Sequence, residues 1–127
     1  MREIKFRGKR LDNGEWVVGS YIEAENRDRS IAHQIIPYKA GLVVREVDPA
    51  TVGQFTGLKD KNGKEIYEGD ILTDEFESIG VVEWRDGAFV VNFADIDFFQ
   101  IADCFDDFYQ MWSIGNIHDN PELLKTE

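Results

Sequence analysis

The sequence predicts a mainly β protein: a β-rich α+β fold of successive hairpins, with an SH3-like small barrel in its C-terminal half and short helical turns. Two observations carry that prediction. The dipeptides Asn13-Gly14, Asn62-Gly63 and Asp86-Gly87 each accept positive φ and sit between apolar, β-branched or aromatic segments, the strongest short-range signal of a hairpin. In "REIKFRGKR", Ile4 and Phe6 alternate with Glu3, Lys5 and Arg7, the period of a half-buried strand.

The first strand finds its partner in "LDNGEWVVGSYIE", where a two-residue turn at Asn13-Gly14 is expected and Trp16, Val18 and Tyr21 suit the returning strand. "ENRDRS" is charged and without period, so it reads as an exposed loop. "HQIIPY" and "GLVVREV" read as two short strands. In "DPATVGQ", Asp48 is placed to cap and Pro49 to start a single helical turn.

"QFTGL" and "KEIYE" flank the turn Asp60–Gly63, and Gly69 in "EGDIL" marks a backbone angle or close approach that a side chain would forbid. "SIGVVEW" and "AFVVNF" form a third hairpin about Asp86-Gly87. The order of these strands resembles that of an SH3-like barrel, a likeness that carries no function. "IADCFDDFYQMW" spaces Ile101, Cys104, Phe105, Phe108 and Trp112 as one face of a helix or helical turn. "SIGNI" is expected to return as a closing strand, and "NPELL" to form a short terminal helix with Asn120 as cap. One domain is expected over residues 1–127, with subdomains at 1–53 (hairpins) and 54–117 (barrel) and a tail at 118–127.

The net charge of −11 is unevenly placed. Residues 1–66 carry 12 Lys/Arg against 10 Asp/Glu, and residues 67–127 carry 2 against 15, so the halves stand at +2 and −13. Opposite charge can draw the halves together within one chain or between copies. The acidic half argues against direct binding of nucleic-acid phosphates, which rests on Lys and Arg. Cys104 is the single cysteine and no apolar run approaches the roughly 20 residues that span a bilayer. A location in a reducing cytoplasm, with no membrane association, is therefore expected. With no basic neighbour, Cys104 reads as a buried small hydrophobe.

The blocks "MREIKFRGKRLDNGEWVVGSYIE", "VDPATVGQFTGLKDKNGKEIYEGDIL" and "IGNIHDNPELL" together resemble the YopX family of bacteriophage and prophage proteins. The likeness spans most of the chain and is weakest from Phe76 to Trp112. It implies a small, mainly β intracellular protein encoded by a phage or prophage, with no established activity and no site residues to carry over.

Candidate chemistry is sparse. Asp95, Asp97, Asp103, Asp106 and Asp107 form an acidic cluster of the kind a hard cation needs, but without the loop pattern of a calcium hand, so a solvated acidic face is expected and no metal. His33 and His118 lack zinc-site spacing, and no phosphate loop or nucleophile elbow is present. No catalytic residue and no cofactor is expected. Phe98, Phe99, Tyr109 and Trp112 are the expected interaction surface, because adjacent bulky apolar residues on a strand cannot all face inward. The leading expectation is a non-enzymatic accessory protein acting through protein contacts, as a homo-oligomer or on a host or phage protein. A DNA mimic that occupies a host nucleic-acid-binding enzyme is the alternative, and a carboxylate–metal enzyme ranks third.

Overall fold

The computed structural model describes residues 4–38, 43–94, 97–105 and 110–124. Eleven strands and three 3-10 turns alternate along them, in two compact units, residues 1–55 and 56–127. The β-rich class read from the sequence is the observed one, and helix is confined to single turns.

In the first unit, β1 (Phe6–Lys9) pairs antiparallel with β2 (Trp16–Glu25), from Phe6 opposite Gly19 to Lys9 opposite Trp16. β2 continues against β3 (Ile31–Pro37), and β4 (Arg45–Glu46) adds a short outer strand. The connection between β1 and β2 is longer than the two residues expected. Gly14 N–H reaches back to Arg10 O, Arg10 N–H bonds Glu15 O, and the Asn13 side chain accepts Glu15 N–H, so Leu11–Gly14 form a four-residue loop. Gly14 still takes the positive φ, 72°. The strand expected in "GLVVREV" is cut to two residues; Val43 and Val44 lie outside it and are exposed.

Gly8 explains where this unit's core sits. A Cβ at Gly8 would lie 3.2 Å from both Ile35 and Val47, so its bare backbone seats those two fully buried side chains. Burying each contributes roughly 1.5–3 kcal/mol. Asp48 caps the 3-10 turn Pro49–Thr51 as expected, accepting Ala50 N–H at 3.0 Å.

β5 (Gly53–Lys59) begins in the first unit, where it pairs with β1, and ends in the second, beside β6 (Glu65–Tyr67). In the second unit a five-stranded antiparallel sheet follows the order β10-β9-β8-β7-β11. Its strands are β7 (Asp70–Thr73), β8 (Ile79–Arg85), β9 (Ala88–Phe93), β10 (Asp97–Gln100) and β11 (Trp112–Asn116). The Asp86-Gly87 turn is the expected two-residue hairpin, with φ of 51° and 83°. The closing strand expected in "SIGNI" is β11, which pairs antiparallel with β7.

The barrel does not close among the described residues. β10 and β11 end the sheet on opposite sides, because β10 is only four residues long and the chain leaves it at once into a 3-10 turn, Ile101–Cys104. Of the helix or helical turn expected in "IADCFDDFYQMW", the described residues form that 3-10 turn, from which Ile101 and Cys104 are buried; Phe108 lies outside the described residues, Met111 is buried just before β11, and Trp112 belongs to β11. Ile101, Cys104 and Met111 form one core cluster with Ile66, Leu72, Val82, Phe89 and Val91. "PELL" is a 3-10 turn rather than an α-helix, and the Asn120 side chain accepts Asn116 N–H.

Candidate functional site

Among the described strands of the second unit, β10 is the one in which every residue is exposed. It pairs with β9, Asp97 opposite Phe93 through Gln100 opposite Val90. Alternation sends Phe98 and Phe99 to opposite faces of the sheet. Phe98, 40% exposed, lies beneath the Arg85 guanidinium, whose carbon is 4.2 Å from the ring centroid. Phe99, 49% exposed, meets Phe93 edge-on, centroids 5.8 Å apart. Neither phenylalanine belongs to the core cluster.

Trp112 is not part of this patch. It sits on β11, at the opposite end of the sheet, half-buried beneath Lys61, whose Nζ lies 5.2 Å from its ring. Tyr109 lies outside the described residues. So do Asp95, Asp106 and Asp107. Asp97 is on β10 and Asp103 in the following 3-10 turn, both exposed, and among the described residues no group of three or more His, Cys, Asp or Glu is placed to hold a metal.

Sequence reasoning missed three buried carboxylates, Asp60, Asp70 and Asp74, each of which accepts backbone N–H groups. Asp60 Oδ1 accepts Asn62 and Lys64 N–H, both at 2.9 Å, while Oδ2 accepts Ser113 N–H. Asp70 accepts Tyr67 N–H at 2.8 Å, and Asp74 accepts Phe76 and Ser78 N–H. For Asp60 and Asp74 the signal available was Asp at the first position of a turn, a placement that suits side-chain to backbone bonding; Asp70 instead closes its turn, three residues after the N–H it accepts. These groups stabilise turns and lie out of reach of a partner.

Two further features stand apart from the edge. On β2 and β3 the Tyr21 hydroxyl lies 2.6 Å from His33 Nδ1 and 3.1 Å from Glu23 Oε1; burial and the Glu23 carboxylate push the phenol above its ordinary range. A groove of about 470 Å³ runs between the sheet and the C-terminal turn, with Ile79, Val81, Ile117, Leu123 and Leu124 around the Glu83–Asn92 hydrogen bond. Arg85 Nε also bonds Glu83, so that carboxylate is already engaged on both oxygens. Cys104 is buried as expected, and desolvation, then Asp103, push its thiol up to about 11, which removes it as a nucleophile.

No helix among the described residues is long and apolar enough to cross a membrane. No curated protein matches this chain. Among solved structures it is similar to protein EF1440 from Enterococcus faecalis, known from a crystal structure, with 30% identity, a TM-score of 0.62, and coverage of 98% of this chain and 100% of that one. Residues 5–125 match the family described as YopX protein, so nearly the whole sequence carries its pattern, and the chain belongs to the YopX family.

Proposed function

We propose that this protein is a non-catalytic accessory protein, of phage or prophage origin and cytoplasmic in its bacterial host, which works by self-association through the aromatic edge of its second unit. The observation that supports the reading is the β10 strand, which presents two phenylalanines to solvent at the end of a sheet. Exposed aromatic side chains on a rigid strand are the residues that anchor protein contacts. The described chemistry supports it from the other side: the buried carboxylates are consumed in turns, the thiol is held neutral, and Glu83 is already engaged.

Charge keeps the mimicry of nucleic acid as a second reading. Residues 56–127 carry 5 Lys/Arg against 17 Asp/Glu, a net −12, but Asp60, Asp70 and Asp74 are buried and unavailable to imitate phosphates. Light scattering on protein eluting from a sizing column tests the first reading. A mass above the monomer that falls to the monomer in the Phe98→Ala/Phe99→Ala double variant, with unchanged melting, supports it. A wild-type monomer at every concentration overturns it.

A further inference from the structure

The two ends of the five-stranded sheet are treated differently by the chain. At one end, β11 has a register shift between Ser113 and Gly115, Ser113 N–H is taken by Asp60, and the carbonyl of Met111 just before it accepts Lys61 N–H. Bulges and covering loops are the devices by which proteins protect an edge. At the other end, neither device is seen at β10 among the described residues. It carries no Pro, Lys or described bulge, its single charge is Asp97 at one terminus, and no described strand pairs its outer side. An unprotected edge with two phenylalanines at its centre is a template for another strand.

We infer that the strand it takes is the β10 of a second copy of this chain, laid antiparallel across a two-fold axis so that the two five-stranded sheets become one. This rests on the self-association proposed above and names its surface and geometry. The register follows from symmetry. A two-fold axis normal to the sheet keeps each face continuous, so opposed residues must share a face and their numbers must sum to an even value. Two registers centre on an aromatic residue. In one, Phe98 faces its own counterpart and Asp97 faces Phe99; in the other, Phe99 faces its counterpart and Phe98 faces Gln100. Both bring aromatic rings together, and neither sets Asp97 against Asp97, the like-charge pairing that would be destabilising. The segment is thus complementary to itself in length, alternation and charge, which is what an isologous contact requires.

Four residues a side fall short of the roughly 800 Å² per partner of a stable interface, so the contact belongs to the weak, concentration-dependent class. Each copy carries −11, and the two repel at low salt.

Nitroxide labels at Asp97→Cys and at Gln100→Cys, introduced one at a time, test the geometry by electron paramagnetic resonance, with light scattering on the same samples. Cys104, buried, stays unlabelled. Antiparallel pairing places one pair of equivalent Cα atoms about 8 Å apart and the other about 14 Å apart, and which is which reports the register. A dimer by mass with both label pairs beyond roughly 25 Å, several strand spacings, overturns edge pairing while leaving self-association standing. A monomer throughout overturns both. In the unsubstituted protein, amide exchange in residues 97–100 is expected to slow as concentration rises; exchange that stays constant while the mass doubles overturns the inference.

Discussion

Asp60 Oδ2 accepts the backbone N–H of Ser113 at 2.9 Å, joining the β5–β6 turn to β11 across 53 residues of sequence. The same carboxylate holds two N–H groups of its own turn through Oδ1. One buried side chain therefore fixes a hairpin and covers a sheet edge together. Replacing it by alanine leaves three backbone donors without their acceptor, a loss of about 3 kcal/mol. Asp60→Asn keeps one acceptor oxygen but presents an N–H₂ where an acceptor is needed, so it is expected to fall between, at about 1–2 kcal/mol. Urea unfolding of the three proteins checks the order; an Asp60→Ala variant as stable as wild type would remove the carboxylate from this role.

Gly19 is held to glycine by a neighbour. A Cβ there would stand 1.9 Å from the Ile36 carbonyl oxygen, a backbone atom that cannot step aside without opening the β2–β3 pairing. Gly19→Ala is expected to cost about 3 kcal/mol or to prevent folding of the first unit. Gly87→Ala is the comparison, since nothing lies within 4 Å of its Cβ position and only its φ of 83° opposes the substitution. That cost is about 1 kcal/mol. Equal melting temperatures for the two variants would refute the steric account.

For Cys104, the sign of the pH effect is fixed by its surroundings. Desolvation raises the folded thiol to about 11 while the unfolded one sits near its ordinary value. The neutral thiol's contribution to stability is thus fully present below about pH 8.5 and is lost as pH rises through 11. At pH 8 the native thiol is expected to react with iodoacetamide at least about a hundredfold more slowly than in guanidinium, since the thiolate fraction differs by that order. Rapid native alkylation would place Cys104 at the surface.

The parts of the fold that were legible are those written in adjacent residues. Asp86-Gly87 dictates its hairpin because two positive φ angles are needed side by side, and Asp48-Pro49 carries its own cap. What the sequence hides is long-range. Nothing near Asp60 announces Ser113, and alternation cannot say whether a carboxylate faces water or a distant N–H. The spacing of Ile101 and Cys104 was legible as a helical turn, but not that Met111, just before β11, is buried with them, since that depends on where the chain returns. The exposure of Phe98 and Phe99 was readable, since neighbours on a strand cannot share a face. The separation of Trp112 from them was not, because it depends on β11 lying beside β7 rather than beside β10.

Sedimentation equilibrium of the wild-type protein and of Phe98→Asp, across a salt series, tests self-association through β10 most directly. The expected result is a reversible dimer of the wild type that tightens as salt screens the repulsion between two copies of net charge −11, and a Phe98→Asp protein that stays monomeric throughout. A wild-type protein that is monomeric at all concentrations, or a dimer that salt dissolves and Phe98→Asp leaves intact, would contradict it.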